Sequence, residues 1–200
     1  IEQDDKVKAF INTQDLKDEE YINSHCVIMA TKQGQIKKTS LEQYSRPRAN
    51  GINAITVKDG DELLEAKLTN GESEILIAVK SGKAIRFEES KTRPMGRNAS
   101  GVRGITLNGP NDAVVGMVSV NDLDTDILVV SANGYGKRSS LEDYRATNRG
   151  GKGVKTISVT EKTGELVSIK NVSDENDLMI INKSGIAIRM SVDSLRVMGR

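Results

Sequence analysis

Short runs of apolar, mostly β-branched residues recur along the chain at a nearly constant interval. The four clearest runs are VIMA at 27–30, ILIAV at 75–79, ILVV at 127–130 and LMII at 178–181. Polar and turn-forming residues bound each run, which is typical of a short strand that is buried on both faces. Helical periodicity is lacking, so the pattern predicts an all-β chain.

A polar turn that ends in glycine follows each run, and we expect a second strand after the turn. Such hairpin turns often need a positive φ, which glycine adopts at little cost. The glycines are spaced by 48, 52 and 51 residues, at Gly34, Gly82, Gly134 and Gly185. A basic residue stands four positions after each glycine, at Lys38, Arg86, Arg138 and Arg189. This constant register indicates an internal repeat.

Each repeat continues with a basic loop. The loops are SRPRAN at 45–50, TRPMGRNAS at 92–100, RATNRGGK at 145–152 and RVMGR at 196–200, and we name them the first to the fourth basic loop. The blocks GINAITV, GVRGITL and GVKTISV follow the first three loops, from Gly51, Gly101 and Gly153. We expect ITV, ITL and ISV to form the third strand of each unit. The later stretches ELLEAKL, VVGMVSV and ELVSIKN are expected to form the fourth.

Four-stranded units at this period predict the blades of a propeller-like ring. We expect a single β domain over residues 1–200, with repeats at 26–73, 74–125, 126–176 and 177–200. The stretch KVKAFIN at 6–12 resembles the last strand of a unit, so residues 1–25 are predicted to finish a preceding blade. The fourth repeat shows only its beginning, which indicates a piece of a longer protein.

Charge is almost balanced overall but strongly divided by position in the repeat. The segments 34–57, 82–107, 134–159 and 185–200 hold 19 Lys and Arg against 6 Asp and Glu, a net charge of +13. The rest of the chain holds 10 against 22, a net charge of −12. Because equivalent positions of a ring lie at equivalent places around it, the sequence predicts a positive belt.

A belt of Arg and Lys is the electrostatic footprint of a polyanion, and duplex DNA is the obvious candidate. Only six residues are aromatic, which is few for stacking the bases of a single strand. Two other interpretations stay open. The belt could bind an acidic protein, or its charges could protect strand edges from unwanted pairing.

Enzyme chemistry within the chain is not predicted. GYGKRSS at 134–140 and RGGKG at 149–153 both lack the glycine spacing of a P-loop, and a strand rather than a helix is expected after the second. His25 and Cys26 are the only residues of their kinds, so neither a disulfide nor a zinc site of usual ligand count is expected. The sequence has no run of about 18 apolar residues, so no membrane-spanning helix is predicted.

The stretches KAIRFEESKTRPMGRNASGVRGITL at 83–107 and NGYGKRSSLEDYRATNRGGKGVKTISV at 133–159 resemble the C-terminal domain of the DNA gyrase A subunit. The resemblance implies a β-pinwheel of six blades, of which this chain would hold about three and a half. It also implies that the domain wraps duplex DNA, without reading its sequence, and supports ATP-dependent negative supercoiling. The A-type subunit of topoisomerase IV shares the fold and stays an alternative.

The family's hallmark is a seven-residue box, Gln-Arg-Arg-Gly-Gly-Lys-Gly, on its first blade. Residues 149–153 match its last five positions, but Thr147 and Asn148 differ from the first two, and the stretch lies in the third visible repeat. The resemblance therefore implies that the true box lies upstream and that residues 149–153 form a box-like loop.

The resemblance further implies a bacterial, cytoplasmic, nucleoid-associated type II topoisomerase of two A and two B subunits. ATP, Mg²⁺ and the DNA-cleaving tyrosine would lie outside this chain, so no catalytic residue or cofactor is expected here. Tyr44 and Tyr144 occupy equivalent repeat positions and are predicted to be packing residues. The residues predicted to contact DNA phosphates are Lys38, Arg46, Arg48, Arg86, Arg93, Arg97, Arg103, Arg138, Arg145, Arg149, Gly150, Gly151, Lys152, Gly153, Lys155 and Arg189.

Overall fold

The computed structural model describes residues 6–200 as four small antiparallel sheets joined in series. One short helix, α1 (Glu19–Ser24), precedes the sheets, and Asp18 caps it by accepting hydrogen bonds from the amides of Glu20 and Tyr21. The strands are β1 (Cys26–Thr31), β2 (Gln35–Ser40), β3 (Leu63–Thr69), β4 (Glu74–Val79), β5 (Lys83–Glu88), β6 (Val102–Arg103), β7 (Val114–Val120), β8 (Asp126–Ser131), β9 (Gly136–Ser140), β10 (Val154–Lys155), β11 (Leu166–Val172), β12 (Asp177–Ile181) and β13 (Ala187–Ser191).

Each repeat opens with the predicted hairpin, and its glycine turn has the expected backbone. Gly34, Gly82, Gly134 and Gly185 all have φ between +79° and +84°. A 3-10 helix follows the second strand of every repeat, at Leu41–Tyr44, Glu89–Lys91, Leu141–Asp143 and Val192–Ser194. These helices lead directly into the four basic loops.

The sheets exchange strands between neighbouring repeats. The first sheet has the order β3-β1-β2-β6, although β6 belongs to the second repeat. The second has the order β10-β5-β4-β7, although β10 belongs to the third repeat. In register, Ile36 pairs with Val102, and Ala84 pairs with Val154. The third sheet is β11-β8-β9 and the fourth is β12-β13.

This exchange corrects the expected third strand. The short strands Val102–Arg103 and Val154–Lys155 begin just after the glycine of each block, whereas residues 105–107 and 157–159 lie outside any strand. The start of the ITL segment instead approaches the previous repeat's turn, where the amides of Gly104 and Ile105 donate to the carbonyl of Gly34 at 2.8 and 3.3 Å. A four-stranded sheet is therefore built from two repeats rather than from one.

The cores lie between repeats and hold them together. Ile36 of the first repeat, Ile77 of the second and the linking Ile105 are all buried in one cluster. A second cluster joins Leu76 of the second repeat to Ile127 and the fully buried Tyr144 of the third. Tyr44 is half-buried and packs beside a third cluster, so both tyrosines are packing residues as predicted.

The strands β3, β7 and β11 share one side of the assembly. Each lies at the end of its sheet, and β7 packs against both β3 and β11. The strands of the basic segments form the other half of the first two sheets, with β6 and β10 at the opposite edges and β2 and β5 next to them. The division of charge seen in the sequence is thus a division between two halves of these sheets.

Two further expectations need correction. The KVKAFIN stretch forms no strand in the described part of the chain, and Ala9 and Ile11 instead pack against the core beside the first sheet. Residues 1–5 of the expected preceding blade lie outside the described residues. The β12 strand was expected to be buried on both faces, but Met179 and Ile181 are more than 60 % exposed because no other described sheet packs over them.

Candidate nucleic-acid interface

The second, third and fourth basic loops hold equivalent positions because each is hydrogen-bonded to the second strand of the repeat before it. The amide of Met95 donates to the carbonyl of Lys38 at 2.7 Å, and the amide of Thr147 donates to that of Arg86 at 2.9 Å. In the fourth loop, the amide of Met198 donates to the carbonyl of Arg138 at 2.8 Å. The same bond in three successive repeats gives the loops equivalent positions along one rim.

Seven of the predicted side chains are solvent-exposed on these loops and on the short strands that follow them. Each is a basic side chain that has no carboxylate partner among the ion pairs of the described residues. They are Arg46, Arg48, Arg93, Arg103, Arg145, Lys152 and Lys155. Their arrangement suits non-specific contact with the phosphates of a polyanion.

A shallow cavity of about 200 Å³ lies between the third basic loop and β5. Arg145, Thr147, Asn148 and Lys152 line it from the loop, and Arg86 lines it from β5. Cations and polar groups thus surround one concave space, which can receive an anionic group.

The structure places Arg86 and Arg138 in contacts between repeats rather than on the exposed surface of the loops. Arg86 forms an ion pair with Glu74 of the preceding strand and donates to the carbonyls of Leu141 and Tyr144, at 2.9 and 3.0 Å. Arg138 repeats this arrangement with Asp126 and with the carbonyls of Val192 and Leu195. Both guanidiniums are about nine-tenths buried or more. They join repeats, and the contacts of their guanidinium groups are made with acceptors of the protein itself.

Lys38 also lies in a buried contact between repeats. Its Nζ lies 2.9 Å from Oε1 of Glu89, and the two side chains are 7 % and 0 % exposed. Arg189 occupies the same repeat position and pairs with Asp177, but its side chain is exposed. Arg189 therefore stays a candidate contact, with its charge already shared with a carboxylate.

Arg97 and Arg149 are half-buried and direct part of their guanidinium groups at the protein. Nη1 of Arg97 donates to the carbonyl of Asn53 at 3.1 Å. Nε and Nη1 of Arg149 donate to the carbonyls of Lys91 and Arg103, at 3.0 and 3.1 Å. Each side chain thus connects its own loop to the repeat before it.

The glycines of the box-like stretch shape the loop. Gly150 has φ +85° and its amide donates to the carbonyl of Gly104 at 2.6 Å, so this amide is not free for a phosphate. Gly153 has φ +70°, and a Cβ at this position would lie 2.5 Å from the carbonyl oxygen of Ala84. The chain needs glycine there because β10 must approach β5 closely.

Lys37 lies beside the predicted Lys38 and was not itself predicted from the sequence. It is fully buried, and its ammonium donates to the carbonyls of Ala54 and Arg97. Burial, with a smaller contribution from the nearby Arg97, lowers the pKa of Lys37 to about 8. The equivalent residue of the second repeat is Ile85, so a lysine at a core position was the available signal.

Residues 6–200 give little support for a metal site, a nucleophilic cysteine or a membrane-spanning helix. They contain no group of three or more His, Cys, Asp or Glu arranged to hold a metal ion. Burial raises the pKa of the Cys26 thiol, which keeps it in the poorly nucleophilic form. Within the same range, none of the helices has the length and apolar character needed to cross a membrane.

Comparison with known proteins gives a consistent family. The model of the family described as DNA gyrase C-terminal domain, beta-propeller, matches residues 27–70, 73–121, 125–173 and 176–200. The DNA gyrase A subunit of Staphylococcus epidermidis (strain ATCC 12228 / FDA PCI 1200) is 43 % identical over 201 residues, and that of Staphylococcus aureus (strain NCTC 8325 / PS 47) is 43 % identical over 202. Both alignments cover 100 % of this chain but only 22 % of the relative.

Solved structures show the same fold. The C-terminal domain of DNA topoisomerase IV superposes with a TM-score of 0.83 at 23 % identity, covering 88 % of this chain and 55 % of that one. The DNA gyrase A C-terminal domain superposes with a TM-score of 0.79 at 24 % identity, covering 88 % and 59 %. The family match extends over all four repeats, including the strands and loops that carry the exposed cations. This chain therefore belongs to the DNA gyrase C-terminal domain family.

Proposed function

We propose that this chain binds duplex DNA without sequence preference and bends it along the rim formed by the basic loops. The observation that carries the proposal is the set of seven exposed cations on the basic loops and on β6 and β10, none of which has a carboxylate partner among residues 6–200. Phosphates recur along both DNA strands, so a row of cations at repeated positions can follow the duplex over its length.

Bending follows from the arrangement of the repeats. The family model is that of a beta-propeller, whose blades are arranged around an axis, and the repeats of this chain share strands and cores. The cations are therefore expected to lie on a curved rim that keeps its shape. A duplex that contacts several loops at once must curve as well. The cost of bending a site of 20–30 base pairs is roughly 1–6 kcal/mol, which several phosphate contacts can offset.

In the whole subunit, this wrapping would present a neighbouring DNA segment for strand passage. Cleavage of DNA and use of ATP and Mg²⁺ would belong to other parts of a cytoplasmic, nucleoid-associated assembly of two A and two B subunits. This chain would contribute no catalytic residue to that assembly. The same proposal applies if the chain comes from the A-type subunit of a topoisomerase IV.

Competition binding tests the proposal against an acidic protein partner. Two labelled duplexes of unrelated sequence are titrated with the chain at low salt, with polyglutamate or unlabelled duplex as competitor. We expect similar affinities for the two duplexes and displacement by duplex DNA at far lower charge concentration than by polyglutamate. Equal displacement by both competitors would favour a general acidic partner, and no binding at low salt would refute the proposal.

A topological measurement tests wrapping separately. Closed circular DNA is relaxed by a nicking-closing enzyme in the presence of increasing amounts of the chain, and the protein is then removed. Wrapping shifts the distribution of linking numbers in one direction in proportion to the bound protein. Binding without any shift would limit the function to DNA attachment.

A further inference from the structure

One arginine in each of the second, third and fourth basic loops occupies the same repeat position. These residues are Arg97, Arg149 and Arg200. Each stands five positions after the first residue that follows the 3-10 helix of its own repeat. All three direct their guanidinium groups at the backbone of the preceding repeat.

The first shared contact is made by Nη1. Nη1 of Arg97 donates to the carbonyl of Asn53 at 3.1 Å, and Nη1 of Arg149 donates to the carbonyl of Arg103 at 3.1 Å. Nη1 of Arg200 donates to the carbonyl of Lys155 at 3.4 Å. Each acceptor is the second residue after the positive-φ glycine of its block. The same donor therefore reaches the same carbonyl in three repeats.

A second contact fixes the other end of the preceding loop. Nε of Arg149 donates to the carbonyl of Lys91 at 3.0 Å, and Nε of Arg200 donates to that of Asp143 at 2.7 Å. The backbone amide of Arg200 also donates to Oδ2 of Asp143, just as the amide of Arg97 donates to Oε1 of Gln43. One planar guanidinium thus spans both ends of the loop before it, which suits the rigid fork of arginine.

We infer that Arg97, Arg149 and Arg200 are positioning residues that connect successive basic loops into one track of fixed spacing. Their charges act through protein carbonyls, while the neighbouring Arg145, Lys152 and Lys155 contact phosphate. A track that is already ordered loses less conformational freedom when DNA binds, so the positioning residues raise affinity without adding phosphate contacts. Only the part of the inference that concerns DNA affinity rests on the proposed function.

Two backbone contacts near Arg149 provide a measurement that does not need DNA. The amide of Gly150 donates to Gly104 at 2.6 Å, and the amide of Thr106 donates to Gly151 at 2.8 Å. Both bonds join the second and third loops beside the guanidinium. If Arg149 holds these loops together, its replacement will increase hydrogen exchange at both amides.

The test compares Arg149→Lys and Arg149→Gln with the matched variants Arg145→Lys and Arg145→Gln. Lysine keeps the charge but replaces a planar fork of donors by a single ammonium. For both variants of Arg149 we expect faster exchange at Gly150 and Thr106, a roughly three- to tenfold loss of duplex affinity and an unchanged dependence of affinity on salt. For Arg145, we expect the lysine variant to bind like the wild type and the glutamine variant to lower the salt slope by roughly 0.9.

The opposite pattern would overturn the inference. If exchange at the two amides is unchanged, Arg149 does not hold the loops. If Arg149→Lys binds like the wild type while Arg149→Gln lowers the salt slope, Arg149 contacts phosphate directly. If the wild-type chain binds no duplex at all, the proposed function fails, and hydrogen exchange alone decides the positioning role.

Discussion

The buried ion pair between Lys38 and Glu89 neutralises a buried cation with a carboxylate from the following repeat. In the next two repeats, the equivalent cation is paired with a carboxylate of its own repeat. Arg86 and Arg138 pair with Glu74 and Asp126, which begin the first strand of their own repeats. In the first repeat, Cys26 occupies that strand position, and the carboxylate comes instead from the 3-10 helix of the following repeat. At the position of Glu89, the other repeats carry the buried apolar residues Leu141 and Val192.

Removing the carboxylate will leave the Lys38 ammonium buried without a partner. We expect Glu89→Leu to lower the free energy of unfolding by about 3–5 kcal/mol, the usual cost of breaking a buried pair from one side. Adding Cys26→Asp supplies a carboxylate where Asp126 stands in the third repeat, so the double variant should recover much of the loss. Urea unfolding monitored by circular dichroism measures both. A double variant no more stable than Glu89→Leu would show that the two arrangements are not interchangeable.

Glycine is required at position 153 for two reasons: its φ is positive, and a Cβ there would collide with the neighbouring strand. In Gly153→Ala, the new Cβ would lie 2.5 Å from the oxygen of Ala84, so β10 must move away from β5. Gly71→Ala is the matched control, because Gly71 has φ +91° and a Cβ added there would have no neighbouring atom within 4 Å. We expect the control to lose about 1–2 kcal/mol of stability from strain alone, and Gly153→Ala to lose clearly more. Equal losses in thermal or urea unfolding would contradict the close approach of the two strands.

Lys37 will make stability depend on pH in the alkaline range. Its pKa is about 8 in the folded chain against an ordinary value of 10.5, so the unfolded chain binds more protons between these values. The free energy of unfolding of the wild type, relative to Lys37→Met, should therefore rise from pH 8 to pH 10, by less than about 1.4 kcal/mol per pH unit. A neutral amine still has two N–H donors for Ala54 and Arg97. A difference that is constant or falls over this range would contradict the lowered pKa.

The hairpins and the repeat could be predicted from the sequence because they depend on local patterns. The apolar runs and the positive-φ glycines specify β1–β2, β4–β5 and β8–β9 without reference to the rest of the chain. The strands β6 and β10 could not be predicted in the same way. Each has two residues, and its partner is a strand of the previous repeat, so its existence depends on contacts far away in the sequence.

The sequence predicts where the basic segments lie, but not which of their cations are exposed. Net charge by segment identified the rim, but it does not distinguish the exposed Arg145 from the buried Arg138. That distinction depends on whether a carboxylate and free carbonyls face the cation across a repeat boundary, as Asp126 and Val192 do for Arg138. The one local signal for such pairing was an acidic residue twelve positions before the basic residue, as Glu74 stands before Arg86.

The salt dependence of duplex affinity tests the central claim most directly. The claim is that exposed cations of the basic loops neutralise DNA phosphates, so the slope of log Kd against log salt concentration should fall by roughly 0.9 for each cation removed. The variant Arg145→Gln/Lys152→Gln is compared with Lys162→Gln/Lys170→Gln, which removes two exposed charges outside the basic segments. We predict a lower slope for the loop variant and a wild-type slope for the control. Equal slopes for all three chains, or an affinity independent of salt, would contradict the claim.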